Sequence, residues 1–224
     1  QTACSVILLD ARQAERTILA YRGVSASFGN LDPEDLESIQ PDWLYVTSLR
    51  GDMDLLLAFF EKAHALGAKV MFNPGAAEID HLSKLIGLLD LVDVLIVNKE
   101  EASRIVPGVI LVELVDHLSN YCPTVIITDG MMGAIAANRD SQETYRFGVY
   151  EQDRLRDRTG AGDAIGSGFL AKWADGGGFR DSLIYAAANA SKVTQRYGAH
   201  AGIITCDEHL HPMPIQEINY DHES

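Results

Sequence analysis

Asp157-Arg158-Thr159-Gly160-Ala161-Gly162-Asp163-Ala164 is the stretch on which the reading of this chain turns. Three residues with little or no side chain stand before an acid, and the acid stands before a long apolar run, Ala164–Ala174, that reads as a helix. Glycines let a backbone bring its N–H groups close to an anion. A helix start adds unpaired donors and about half a positive charge. Asp163 suits a helix start on structural grounds, and it would also lie beside any phosphate held by Gly160–Gly162. A carboxylate there can take the proton of an attacking hydroxyl. On the residues alone, a capped glycine turn and a phosphate loop with a base both stay open. Two other glycine motifs do not fit. Gly160, Gly162 and Gly166 lack the GxGxxG spacing of a dinucleotide fingerprint, which disfavours an NAD-dependent dehydrogenase, and the chain has no GxxxxGK[ST].

Upstream of this stretch the chain alternates. Apolar runs that read as strands lie at Trp43–Thr47, Lys69–Phe72, Val94–Val97, Thr124–Thr128 and Ala134–Ala137. Helical patterns fall between most of them, at Met53–Leu66, Ile79–Leu89, Lys99–Ile105 and Val109–Tyr121. Short apolar strands separated by amphipathic helices predict βαβ units around a parallel sheet. Val94-Leu95-Ile96-Val97 has no polar alternation, as expected of a strand covered on both faces. The opening differs: Ser5–Leu9, a polar turn at Asp10–Glu15 and Arg16–Arg22 predict an antiparallel hairpin, with residues 1–29 as a small β unit and 30–224 as the main domain. Downstream, Phe179–Tyr197 predicts a second long helix ended by Gly198. Its small residues Ala186–Ser191 predict either tight helix–sheet packing or the close approach of a ligand.

The 224 residues hold 18 Lys+Arg against 32 Asp+Glu, a formal net charge of −14. That balance argues against a nucleic-acid partner, which needs a basic face. No apolar run reaches the ~18 residues of a membrane span. The start shows no basic segment followed by an apolar one, so the expected setting is the cytoplasm. Cys4, Cys122 and Cys206 are far apart and odd in number, which predicts free thiols and neither a disulfide framework nor a zinc site. His209 and His211 read as part of a solvated tail.

Four motifs, in order, carry a resemblance. The segment Asp157–Ala164 resembles the C-terminal signature of the ribokinase-like, or PfkB, carbohydrate kinases. Asn98-Lys99-Glu100-Glu101 after Val94–Val97 resembles that family's NxxE motif. Thr128-Asp129-Gly130-Met131-Met132-Gly133 resembles its TxGxxG nucleotide turn, and Asn73-Pro74 resembles the Asn-Pro that ends an earlier strand. The resemblance implies a three-layer ribokinase-like α/β fold with a mostly parallel central sheet and a small β lid. It implies an ATP-dependent phosphotransferase acting on a hydroxyl of a sugar or sugar-like molecule. A nucleoside or other alcohol acceptor, or a nucleotide-binding fragment without activity, is the alternative.

The implied roles follow residue by residue. Asp163 would be the base, and the N–H groups of Gly160, Ala161 and Gly162 the anion hole. Asn98 and Glu101 would organise Mg²⁺ and phosphates through water. The same pair also reads as a helix cap, Asn at N-cap and Glu three residues on. Thr128, Gly130 and Gly133 would meet the nucleotide, as would Asn189 on the second long helix. Asp157 would neighbour a monovalent cation such as K⁺, and Ser48 and Asn73 would reach the acceptor. The segment Thr47-Ser48-Leu49-Arg50 lacks the acid with which ribokinase holds its sugar, so the acceptor need not be ribose.

The resemblance covers nearly the whole chain but only the later part of the family pattern. The first strands and an early Gly-Gly segment have no counterpart here, and the chain starts at Gln1. An N-terminally shortened sequence is therefore expected, with Ser5–Arg22 as the remainder of the lid. In relatives that lid often forms a dimer contact, so a homodimer through these strands is expected.

Overall fold

A computed structural model describes residues 4–9, 16–21, 23, 31–149, 155–205, 208, 210 and 213–218. Residues 10–15 and Arg22 of the expected hairpin, with Cys206, His209, His211 and His222, lie outside them. The chain runs β1 (Cys4–Leu9), β2 (Arg16–Tyr21), a 3-10 turn (Pro33–Asp35), α1 (Leu36–Ile39), β3 (Trp43–Val46) and α2 (Met53–Ala65). Next come β4 (Lys69–Phe72), α3 (Ala76–Ile79), α4 (Leu82–Leu89), β5 (Val94–Asn98), α5 (Lys99–Ile105) and α6 (Leu111–Leu118). Then follow β6 (Thr124–Thr128), a 3-10 turn (Gly130–Met132), β7 (Ala134–Asn138), β8 (Glu143–Phe147), α7 (Ala161–Ala174), α8 (Phe179–Thr194) and β9 (Ile215–Glu217).

The apolar runs pair as a parallel sheet because both faces are covered. Strands β3 to β6 are parallel neighbours in chain order. Three antiparallel strands, β7 to β9, extend the sheet to seven. Residues alternate between two cores. Phe72, Leu95, Val97, Val125 and Ile127 face α2, α4, α5 and α6. Met71, Val94, Ile96 and Ile126 face α7 and α8. The result is a three-layer α/β sandwich. Aromatic edges fill the gaps: Phe60 meets Phe72 at 5.2 Å between ring centroids, and Phe169 stacks on Trp173 at 5.4 Å.

The opening strands form their own two-stranded antiparallel sheet, with Cys4 opposite Tyr21 and Leu9 opposite Arg16. Val6 and Leu19 are more than half exposed on it. Several boundaries differ from expectation: α8 ends at Thr194, short of Tyr197 and Gly198, and α6 spans Leu111–Leu118 where Val109–Tyr121 was expected. The helix after the glycine stretch starts at Ala161, not Ala164, so Gly162 and Asp163 lie in its first turn. The expected Ile79–Leu89 helix is two, broken at Asp80 and His81. Strands β8 and β9 were not expected from the sequence; their pairing partners make them strands.

Candidate active site

Parallel sheets leave their functional crevice at the C-terminal ends of the strands. Here those ends carry Asn73 (after β4), Asn98 (β5) and Thr128 (β6), and α7 points its first turn back at them. The capping box expected at α5 is present. Asn98 Oδ1 accepts from Glu101 N at 2.9 Å, and Glu101 Oε2 accepts from Asn98 N at 2.9 Å. Burial of Glu101 pushes its carboxyl above the usual range, and the hydrogen bonds to Asn98 oppose that only in part. A half-buried carboxylate facing a cleft is a place where a cation would be favourable.

Two cavities meet at this end of the sheet. The larger, about 380 Å³, is bounded by Met131, Val149, Leu155 and Ile165 and by the small residues Ala187 and Ala190 of α8. The smaller, about 220 Å³, holds Asn73, Glu101, Gly160 and Asp163. Asn98, Thr128, Arg158, Ala161 and Gly162 border both. Gly130 and Gly133 border the larger one only.

The first turn of α7 is built by Gly160 and Asp157. Gly160 is the N-cap at φ 80°, and a Cβ on it would stand 2.8 Å from the Ala199 carbonyl oxygen. Only glycine meets both conditions. The buried Asp157 carboxylate fixes the approach to the turn. Its Oδ1 accepts from Thr159 N at 2.9 Å and Thr159 Oγ1 at 2.6 Å, and its Oδ2 from Gly198 N at 3.1 Å. Ala161 N donates to Arg158 O at 3.3 Å, whereas the N–H groups of Gly162 and Asp163 lie in the turn that has no intrahelical acceptor. A Cβ on Gly162 would have no neighbour within 4 Å, so its outer side is open space on the cavity wall. Asp163 is exposed one residue further on.

Two expected residues are employed elsewhere. Asn189 is buried between helices: its Nδ2 donates to Ala164 O at 2.8 Å and its Oδ1 accepts from Ile204 N at 3.1 Å. It borders neither cavity; Ala187, Ala190, Ser191 and Thr194 do so from the same helix. The small-residue face packs closely on the neighbouring helix, with Gly168 of α7 against Ala186 and Asn189, and Ala187 and Ala190 of the same stretch border the larger cavity. Ser48 donates to Glu78 Oε1 at 3.0 Å and borders neither cavity. Fully buried Glu78, which sequence reasoning missed, also accepts from Gly51 N at 2.7 Å and Gly75 N at 2.9 Å, tying the loops after β3 and β4 together. Asn73 does reach the smaller cleft, held by its donation to Ile96 O at 2.7 Å. The apolar lining at Met131, Val149 and Ile165 was also missed, since single apolar residues carry no chemical signature.

Residues 1–206 match the profile described as pfkB family carbohydrate kinase. The chain is 27% identical over 209 residues to an ATP-dependent ribose-1-phosphate kinase of Halopiger xanaduensis, covering 90% of this chain and 64% of that protein. It is 27% identical over 160 residues to a nucleoside kinase of Methanocaldococcus jannaschii, covering 70% of this chain and 51% of that one. The chain therefore spans between half and two thirds of the length of these relatives. In fold it resembles the crystal structure of an adenosine kinase from Sinorhizobium meliloti, with a TM-score of 0.77 and 21% identity, over 89% of this chain and 62% of that one. Among the described residues no helix is long and apolar enough to cross a membrane.

Proposed function

The chain belongs to the pfkB family of carbohydrate kinases, and on that premise we propose that it transfers the γ-phosphoryl group of ATP to a hydroxyl of a sugar or sugar-like small molecule. One observation carries the reading. Asp163 and the Gly160–Gly162 turn share a polar cleft with Asn98, Glu101 and Thr128, and that cleft opens into a larger cavity with an apolar end. The apolar end suits a nucleotide base between Met131, Val149 and the α8 alanines. The phosphates then run past Gly130 and Thr128 toward the turn.

In the reaction, the acceptor hydroxyl lies in the smaller cleft near Asn73. Asp163 takes its proton as the oxygen–phosphorus bond forms. The bond from the γ-phosphorus to the bridging oxygen breaks, and ADP leaves with the electron pair. The N–H groups of the turn meet the charge on the equatorial oxygens, so the chain's part is positioning and charge stabilisation.

Mg²⁺ fits the donors present. Among the described residues no three His, Cys, Asp or Glu gather to cage a metal. That suits an ion that keeps its waters and takes one carboxylate beside the phosphates. Glu101 and Asn98 would hold it, and it would neutralise phosphate charge. The Asp157 oxygens accept from Thr159 and Gly198, and the proposed transfer does not call on a monovalent cation there.

The relatives favour two acceptor classes for testing, nucleosides and ribose 1-phosphate. A nucleotide-binding chain without turnover is the rival. The exposed Val6 and Leu19 of the β1–β2 sheet support a lid that pairs two copies, and Leu19→Glu should then halve the mass by light scattering. The proposed setting is the cytoplasm, where ATP is supplied.

A thermal melt with and without MgATP or MgADP tests the reading first. A ligand binding only the folded state at a hundredfold excess over its Kd adds about 2.7 kcal/mol. A shift that needs Mg²⁺ supports the reading, and an acceptor panel follows. A cooperative melt with no shift counts against it.

A further inference from the structure

We propose that the Arg158 guanidinium grips the γ-phosphoryl group of the bound nucleotide, a role that rests on the kinase reading above. Arg158 borders both cavities, at the boundary where the larger one gives way to the cleft of Asp163. Any phosphoryl group moving from nucleotide to acceptor must cross that boundary. Among the described residues it is the only Lys, Arg or His bordering either cavity.

Its side chain is exposed and, among the described residues, takes part in no hydrogen bond, ion pair or ring contact. The neighbouring cations are engaged. Arg156 lies over the Tyr197 ring at 5.8 Å, Lys99 is 3.4 Å from Asp129, and Lys192 is 2.7 Å from Glu208. Among the described cations, only the Arg158 side chain is left to the cavity. Its backbone, in contrast, is pinned. Asp157 before it is buried and bonded to Thr159 after it, and its own carbonyl accepts from Ala161. A free side chain on a fixed backbone, two residues before the glycine turn, can reach an anion without rebuilding the loop.

Charge supplies the reason. The cleft already holds the Glu101 and Asp163 carboxylates, in a chain of net charge −14. A triphosphate entering it meets repulsion that backbone dipoles alone offset poorly. A guanidinium offers two parallel N–H donors to phosphate oxygens. Its position favours the γ-phosphate over the ribose or the α-phosphate, which lie toward the apolar end.

The test is calorimetry on this chain with Mg²⁺ and either AMP-PNP or ADP, for the wild type, Arg158→Ala and Arg158→Lys. The alanine variant should weaken AMP-PNP about tenfold or more and change ADP less than about threefold, the difference one charge-assisted contact makes. The lysine variant should fall between. The melting temperature without ligand should not move, because the side chain makes no hydrogen bond, ion pair or ring contact among the described residues. Equal effects on the two nucleotides, or none, overturn the proposal while leaving the kinase reading intact. Wild-type chain that binds neither nucleotide overturns both.

Discussion

The hydroxyl of Tyr45 lies against the backbone of Gly166, where a side chain on that residue would begin. It is also the one buried side-chain polar atom without a hydrogen-bond partner among the described residues. Gly166 follows Asp163 by one turn of α7, so the tyrosine sets how closely the helix carrying Asp163 approaches β3. Gly166→Ala should force the ring or the helix aside and cost about 1–3 kcal/mol, the usual penalty of overpacking. Tyr45→Phe removes an unpaired buried hydroxyl and should leave stability equal or raise it by about 1 kcal/mol. Urea melts of both and of the double variant check this. The double variant should recover part of the loss, and a Gly166→Ala chain as stable as wild type would refute the steric account.

Gly162 and Gly160 should separate binding from folding. A methyl on Gly162 meets nothing within 4 Å, so Gly162→Ala should keep its melting temperature. The methyl enters the cavity where phosphate oxygens would lie, and the MgATP-induced shift should shrink or vanish. Gly160→Ala meets the Ala199 backbone at a φ of 80° and should lower the melting temperature itself, by about 1–3 kcal/mol of stability. Two variants with the same profile would mean the turn is not an anion site.

Much of this was legible in the chain because it is local. Val94–Val97 has no polar residue and is buried on both faces. Asn98 and Glu101 are three residues apart and cap α5 as expected. The glycine stretch, singled out from its residues alone, borders both cavities. What was not legible depends on partners far along the chain. Strand β9 is three residues long and is a strand only because β8 lies beside it. Ser48 is claimed by Glu78, 30 residues on. Asn189 looks like a ligand on its helix until the register turns it toward Ala164 and Ile204. The early start of α7 was missed because glycine is a poor helix former, while a left-handed Gly160 is a good place for the helix to begin.

Asp163→Asn tests the base role proposed for Asp163. The amide keeps the size of the side chain, and its loss of basicity leaves the acceptor proton without a taker. In an intact, active form turnover should fall at least about 100-fold, the lower end of what general-base catalysis contributes. Affinity for MgADP, measured by calorimetry, should stay within a few-fold. Unchanged turnover would remove Asp163 from the base role and leave the nucleotide site standing.

Burial sets an alkaline limit on the fold. Desolvation, with the Asp163 charge second, pushes the Tyr45 phenol from 10.0 up to about 12. Desolvation likewise pushes the Cys122 thiol from 9.0 up to about 12, more than the Arg139 charge pulls it down. In the unfolded chain both groups lose their protons first, so between those values the unfolded state binds fewer protons than the folded one. Stability is then full below about pH 9 and falls as pH climbs toward about 12. The urea midpoint should drop steadily above pH 9, and Tyr45→Phe should flatten the part above pH 10. The same burial predicts thiol behaviour at pH 8. In a Cys206→Ser background, iodoacetamide should modify the exposed Cys4 quickly and reach Cys122 only on unfolding. A midpoint that does not move between pH 8 and 11, or a Cys122 that reacts as fast as Cys4, would mean that this core admits water.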